Sequence, residues 1–295
     1  MEQTGGPEVL QLVQAESPEP GDGEVLVRVR AAAINPIDWK YRRGLMPKQL
    51  PAVLGGDISG VVESSRTERF AVGDEVFGLA TSGGYAELAV APAPLLAPKP
   101  AGLGHEQAAA LPVAGMTAWQ ALFDVAGLTA DQSVLIAGAA GGVGHLATQF
   151  ARLAGARAIG TASARNRDFV LGLGAHQFID YAGEDLAALA GEVDVAFDTV
   201  GGQTTEALLA TLRPGGILVT IAGAAPEQGA AARGVRARLL VMSPDAEQLG
   251  HIGELVAADE VKVEIARVMG LVDVREAHAL SESGHTRGKI ILSLD

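Results

Sequence analysis

Val134-Leu-Ile-Ala-Gly-Ala-Ala-Gly-Gly-Val-Gly-His-Leu-Ala-Thr-Gln-Phe150 is the stretch that decides the fold. A short apolar run enters a glycine turn and passes directly into a segment with apolar residues at helical spacing. A strand, turn and helix in this order can receive a phosphate. Residues without bulk let the anion approach the main chain, and the new helix offers free amides and the positive end of its dipole. Gly138, Gly141 and Gly144 stand as G-x-x-G-x-x-G, with Gly142 beside them, not as the strict G-x-G-x-x-G fingerprint. Gly144 is expected to let the helix pack closely on the strand. Ala140, Gly141, Gly142 and Val143 are thus expected to line a nucleotide. The alternative is a tight turn with nothing bound.

Downstream, strand segments near 156–160, 177–180, 193–198 and 215–222 alternate with helices near 165–173, 184–190 and 203–211. A last strand is expected over 237–242, ending at Ser243-Pro244. Such alternation implies a parallel sheet covered on both faces. An NAD site usually has an acid at the end of its second strand, to hold the ribose 2′-hydroxyl. Here that end reads Gly160-Thr-Ala-Ser-Ala-Arg-Asn-Arg167, with no acid before Asp168. Ser163 and Arg165 suit a 2′-phosphate, Arg167 could assist, and Tyr181 after the next strand could add a hydroxyl. NADPH is therefore expected over NADH, unless these arginines merely begin a solvated helix. Thr199 in Asp198-Thr-Val-Gly-Gly202, and Ala222 and Gly223 in Ile221-Ala-Gly223, follow strands at the carboxyl ends where doubly wound sheets hold ligands.

Upstream, the first hundred residues read as strands and turns. Glu24-Val-Leu-Val-Arg-Val-Arg30 alternates with period two, and Asp57–Val62 and Asp74–Phe77 are further strands. Gly21-Asp-Gly23, Gly55-Gly56, Gly73-Asp74 and Gly83-Gly84 punctuate them, and Pro92, Pro94, Pro98 and Pro100 make a stiff connection. After 243 come helices near 245–257 and 274–282 and a closing strand Lys289-Ile-Ile-Leu-Ser293.

The 295 residues suggest two domains. There is no cysteine, which removes disulfides, thiolate nucleophiles and every zinc site that needs sulfur. The net charge of −13, spread without like-charge blocks, argues against a nucleic-acid platform. The longest apolar stretch, 108–128, contains Pro112, Gln120 and Asp124, so no membrane span is expected. The polar start Met1-Glu2-Gln3-Thr4 is unlike a signal peptide, and a cytoplasmic location is expected. The histidines at 105, 145, 176, 251, 278 and 285 show no metal spacing and read as surface or packing residues.

Five segments in this order resemble the zinc-independent branch of the medium-chain dehydrogenases/reductases: Glu24–Val29, Ala33-Ile-Asn-Pro-Ile-Asp-Trp-Lys40, Leu111-Pro-Val-Ala-Gly-Met-Thr-Ala-Trp119, the glycine loop, and Arg287-Gly-Lys-Ile-Ile291. That branch holds quinone oxidoreductases and alkenal or enone reductases. The resemblance implies an α/β architecture: a GroES-like β domain from 1–112 and 244–295, with a Rossmann doubly wound parallel sheet over 113–243. It also implies a homodimer joined through the last Rossmann strand.

Where zinc-dependent relatives carry a cysteine ligand this chain has Asn35, and where they carry Gly-His-Glu it has Gly55-Gly56-Asp57, so no metal is expected. The strand that usually precedes the Gly5-Gly-Pro-Glu8 motif is expected to be missing. The implied activity is hydride transfer from NADPH to a quinone or an α,β-unsaturated carbonyl. Reduction of an enoyl thioester or biosynthetic intermediate, or NADPH binding without catalysis, are the alternatives. Lys40, in an Asp-x-Lys step similar to that of enone reductases, and Asn35 are the expected catalytic residues. Thr117 is expected on the nicotinamide side, and Lys289 is a further candidate.

Overall fold

The computed structural model describes residues 1–184 and 186–294. Asp185, inside the helix expected over 184–190, and Asp295 lie outside the described residues. In chain order the strands are β1 (Glu24–Ile34), β2 (Asp57–Ser65), β3 (Glu75–Leu79), β4 (Leu88–Pro92), β5 (Leu96–Pro98), β6 (Ser133–Ala137), β7 (Arg157–Ala162), β8 (Gln177–Asp180), β9 (Val193–Asp198), β10 (Leu212–Thr220), β11 (Arg236–Leu239), β12 (Ile265–Gly270) and β13 (Lys289–Ser293). They form two sheets in two compact units. One unit is Met1–Met116 with Pro244–Asp295, the other Thr117–Ser243.

The first unit is a β domain, where the resemblance leads to the expectation of a GroES-like fold. Its sheet runs β12-β13-β1-β2-β3-β5, with β4 also paired to β1. The period-two stretch in β1 buries Val25, Val27 and Val29, which pack with Ile58, Val76, Leu96 and Leu292. The C-terminal strand β13 lies antiparallel on β1, with Ile34 opposite Ile290. That register brings Lys289 beside Asn35, residues 254 apart in the chain. Helix Val274–Glu282 turns Val274, Ala277 and His278 inward. Among the described residues no strand precedes β1; the segment before it makes one 3₁₀ turn, Pro7–Val9.

The second unit is the Rossmann sheet, ordered β11-β10-β9-β6-β7-β8 with every pairing parallel. The strand order reverses between β6 and β9, the switch point at which doubly wound sheets bind ligands. All six residues of the central β9 are buried, as a strand covered on both faces requires. Leu135, Ile159, Ile179, Val193 and Leu218 share its core.

Several expected elements differ in extent. The strands expected over 57–62, 74–77 and 156–160 are β2, β3 and β7, and the helix expected over 203–211 is Gln203–Leu209. The last strand stops at Leu239, not 242. The Leu240 amide makes one more bond to Thr220, and Ser243 is then held by both ends of the Gln120 amide, at 2.7 and 3.0 Å. The strand expected over 215–222 is β10, running from Leu212 to Thr220. The helix expected over 165–173 opens as a 3₁₀ turn, Ala164–Asn166, before Arg167–Gly172, a common start for a short helix. Among the described residues no helix is long and apolar enough to cross a membrane.

Candidate active site

The carboxyl ends of the Rossmann strands form a continuous row. Strand register sets its order: Ala137 pairs with Thr161 and with Asp198, Ala162 with Asp180, and Thr220 with Asp198. The segments that follow these ends are Ile221–Gly223, Thr199–Gly202, the glycine loop, Ser163–Arg165 and Tyr181. The sequence-predicted residues Ala140, Gly141, Gly142, Val143, Ser163, Arg165, Tyr181, Thr199, Ala222 and Gly223 therefore all fall along one edge.

The loop is shaped by glycine where backbone approaches backbone. Gly138 has φ +71°, a left-handed conformation that side chains rarely adopt. A Cβ on Gly144 would lie 2.2 Å from the Gly138 carbonyl oxygen, so the helix can start this close to the strand only with glycine. The Gly141 amide turns back to the Gly138 carbonyl at 2.9 Å. The Gly141 carbonyl is held by the His145 amide at 3.1 Å and by His145 Nδ1 at 2.8 Å. No side chain caps the helix Gly144–Leu153 that follows. The His145 amide is already taken by the Gly141 carbonyl; the Gly144 and Leu146 amides of the first turn lack intrahelical acceptors and are the donors an anion would take. This cradle fits a dinucleotide pyrophosphate.

Asp198, fully buried, organises the neighbouring loop. It accepts from the amides of Val200 (3.0 Å) and Gly201 (2.8 Å) and from the hydroxyls of Thr205 (2.6 Å) and Thr220 (3.2 Å). Thr199 donates its hydroxyl to the Ala137 carbonyl at 2.7 Å, which ties this loop to the glycine turn. On the other side Asn166 donates to the Ser163 hydroxyl at 3.1 Å. Arg165 and Arg167 are both exposed, and Arg167 lies over the Phe178 ring, 4.6 Å from its centroid.

In the first unit a buried polar cluster forms around Asn35. Its Oδ1 accepts from Lys289 Nζ at 2.5 Å, and its Nδ2 donates to Asp57 Oδ2 at 2.8 Å. The Lys289 ammonium also lies 3.4 Å from the Ile34 carbonyl and 3.9 Å from Asp57. The Val113 amide donates to both Asp57 oxygens, at 3.2 and 3.3 Å. Asp38 accepts from the Asn35 amide and the Tyr85 hydroxyl, both at 2.8 Å, and from the Gly55 amide at 3.3 Å.

Burial pushes the Asp57 carboxyl up to about 6, against the pull of Lys289 and of the Asn35 amide. Burial likewise lowers Lys289, with Asp57 and Asp38 pulling it back up. Asp38 is raised by burial, and Tyr85 is raised well above its ordinary value by burial and the adjacent Asp38, so it remains a hydroxyl donor.

The two expected catalytic residues are placed differently. Asn35 stands at the centre of the buried cluster. Lys40, two residues beyond Asp38 on helix Pro36–Arg43, lies outside it, half-exposed, with Nζ 5.8 Å from the Trp39 ring centroid. Thr117 is buried on helix Pro112–Trp119.

Sequence reasoning assigned no role to Asp38, Tyr85 or Thr220. Asp38 had a local signal, standing three residues after Asn35 at the start of a helix. Tyr85 and Thr220 had none.

The cluster is not a zinc donor set. Asp57 is already matched by an ammonium and two N–H donors, Asn35 is turned to Lys289, and among the described residues no group of three His, Cys, Asp or Glu could hold a metal.

A switch-point glycine cradle in one unit and a buried polar cluster in a GroES-like other unit together define a two-domain, dinucleotide-linked dehydrogenase or reductase. Residues 21–101 match the alcohol dehydrogenase GroES-like domain, and residues 173–292 match the zinc-binding dehydrogenase family. The chain is 36% identical to a chloroplast envelope quinone oxidoreductase homolog of Arabidopsis thaliana, over 98% of this chain and 95% of that protein. It superposes on the quinone oxidoreductase of Coxiella burnetii with a TM-score of 0.94 at 37% identity, covering 100% of this chain and 98% of the other. It also superposes on the Escherichia coli quinone oxidoreductase complexed with NADPH, with a TM-score of 0.92 at 31% identity, covering 99% and 98%. The chain belongs to the quinone oxidoreductase family of the medium-chain dehydrogenases/reductases. It is an oxidoreductase.

Proposed function

We propose that this chain is an NADPH-dependent, zinc-independent reductase of quinones, with α,β-unsaturated carbonyls as a second acceptor class. The observation that carries the cofactor choice is the end of β7, where Ser163 and Arg165 stand in place of an acid. The E. coli relative complexed with NADPH supports the same choice.

NADPH, when bound, would supply the hydride, and one further proton from solvent would complete a hydroquinone. The glycine loop and the helix start hold the pyrophosphate, and Ser163, Arg165 and Tyr181 hold the 2′-phosphate. Asn35, with Lys40 as the second candidate, faces the acceptor oxygen on which charge grows. The mismatch of the Asn35–Asp57–Lys289 set with zinc supports a reaction that needs no Lewis acid. Location in the cytoplasm belongs to the same reading. So does a homodimer joined through β11, the edge of the Rossmann sheet, where Leu239 and Val241 are 49% and 79% exposed.

The test is NADPH consumption by the purified protein with a benzoquinone and a short-chain enone side by side, for the wild type, Asn35→Ala and Lys40→Ala. The expected result is faster turnover with the quinone and a loss of about tenfold or more in kcat for each variant. Unchanged kcat in Lys40→Ala removes Lys40 from the acceptor side. No consumption with either acceptor leaves a cofactor-binding protein.

A further inference from the structure

Asn35 is gripped from both ends. A carboxamide has two donors and one acceptor oxygen, and its flip is fixed only by its neighbours. Here the neighbours are unambiguous: Lys289 can only donate, and it lies 2.5 Å from Oδ1. The Asp57 carboxylate accepts from Nδ2 at 2.8 Å. The amide therefore has one orientation, and among the described residues no acceptor takes its second Nδ2 hydrogen.

The gripping groups are themselves held. Lys289 is fixed by the β1–β13 register and reaches the Ile34 carbonyl, and Asp57 is fixed by the Val113 amide. All three side chains are almost fully buried. In such surroundings an ammonium on the amide oxygen withdraws charge, and the remaining N–H becomes a stronger donor. A buried ammonium and carboxylate flanking one amide give little stability for their desolvation cost. Their arrangement is better explained by what it does to the amide.

We propose that Lys289 is a positioning residue: paired with Asp57, its ammonium orients and polarises the Asn35 carboxamide, which then donates its remaining N–H to the acceptor oxygen that gains charge on hydride uptake. This rests on the reductase reading above. Asn35 is the group that touches the acceptor; Lys289 and Asp57 act through it. The geometry further assigns Asp57 as the group whose protonation weakens the grip. The ionisable groups facing it are Lys289 from β13, Asp38 from helix Pro36–Arg43 and Tyr85 from the β3–β4 connection.

The experiment is steady-state NADPH oxidation with a benzoquinone by the full-length wild type, Lys289→Met, Lys289→Arg, and Lys289→Met combined with Asp57→Asn, each with a melting curve. Lys289→Met is expected to lower kcat about 10- to 100-fold, the loss expected for a charge-assisted contact in a transition state, with KM for NADPH unchanged within about twofold. Lys289→Arg keeps the cation and is expected to recover part of that kcat. The double variant answers the risk of misfolding. It removes both buried charges, so it is expected to melt above Lys289→Met yet remain slow.

A Lys289→Met protein with wild-type kcat overturns the proposal and leaves the reductase reading standing. So does a double variant that regains both stability and kcat, because the lysine would then be merely structural. A wild type that consumes no NADPH when the benzoquinone is supplied overturns both.

Discussion

Two arginines at the end of β7, two positions apart, have different surroundings. Arg167 lies over Phe178, with Glu184 4.0 Å away, and about half of its side chain is exposed. Arg165 stands in the exposed turn after Ser163, on the row that includes the glycine loop. If Arg165 holds the 2′-phosphate, truncating it removes a charge-assisted bond that NADH never makes. Arg165→Ala is expected to raise the NADPH dissociation constant about tenfold or more, with that for NADH unchanged within about twofold. Fluorescence titration with both nucleotides measures this directly. Equal losses for the two would place Arg165 elsewhere.

Helix Val274–Glu282 carries a buried group with no polar partner among the described residues. His278 is fully buried against the Tyr85 ring, 5.8 Å between centroids, and neither ring nitrogen has a hydrogen-bond partner among the described residues. Burial, with the Arg42 guanidinium nearby, holds its pKa down to about 4 from an ordinary 6.5, while Glu282 opposes this. The folded protein therefore binds fewer protons than the unfolded chain between those values, and stability through this group falls as pH drops from about 6.5 towards 4. Asp57 acts with the opposite sign. Its raised pKa favours the folded state at low pH and is a cost as pH rises through about 6. Comparing variants separates them. In melting curves from pH 7 down to about pH 4, His278→Phe is expected to lose less melting temperature than the wild type. Parallel slopes for the two proteins would show that His278 is not the acid-sensitive group.

At this same scale the chain shows what a sequence can disclose. Strands β8 and β9 and helix Val274–Glu282 were legible to the residue, because each is a short element bounded by clear breaks in periodicity. The glycine loop and the ends of the strands after it were legible because topology follows from βα alternation. The Asn35 cluster was only partly legible. Asn35 and Lys289 stood out as residues, but their meeting depends on a strand pairing across 254 positions, and Tyr85 joins through a loop contact with no local signature. Lys40 stood out by local spacing, yet helix geometry turns Asp38 inward and leaves Lys40 half-exposed.

For the whole molecule, the Rossmann sheet ends on two edge strands, β8 and β11, of four residues each. At β11 the strand exposes Leu239 and the chain beyond it exposes Val241 before Gln120 captures Ser243. Isolated exposed apolar residues need no explanation, but apolar residues on an open strand edge favour pairing with a second copy. The account expects the wild type to elute with twice the chain mass in light-scattering chromatography, and Leu239→Asp with Val241→Asp to elute as a monomer. A wild-type monomer would remove the dimer from this reading.

The central claim is that this family member transfers hydride from NADPH to a quinone. Initial rates of nicotinamide oxidation with a benzoquinone, for NADPH and NADH in parallel, test it most directly. Consumption is expected to require both protein and quinone, with kcat/KM at least about tenfold higher for NADPH. Equal use of NADH, or no quinone-dependent consumption with either nucleotide, would contradict it.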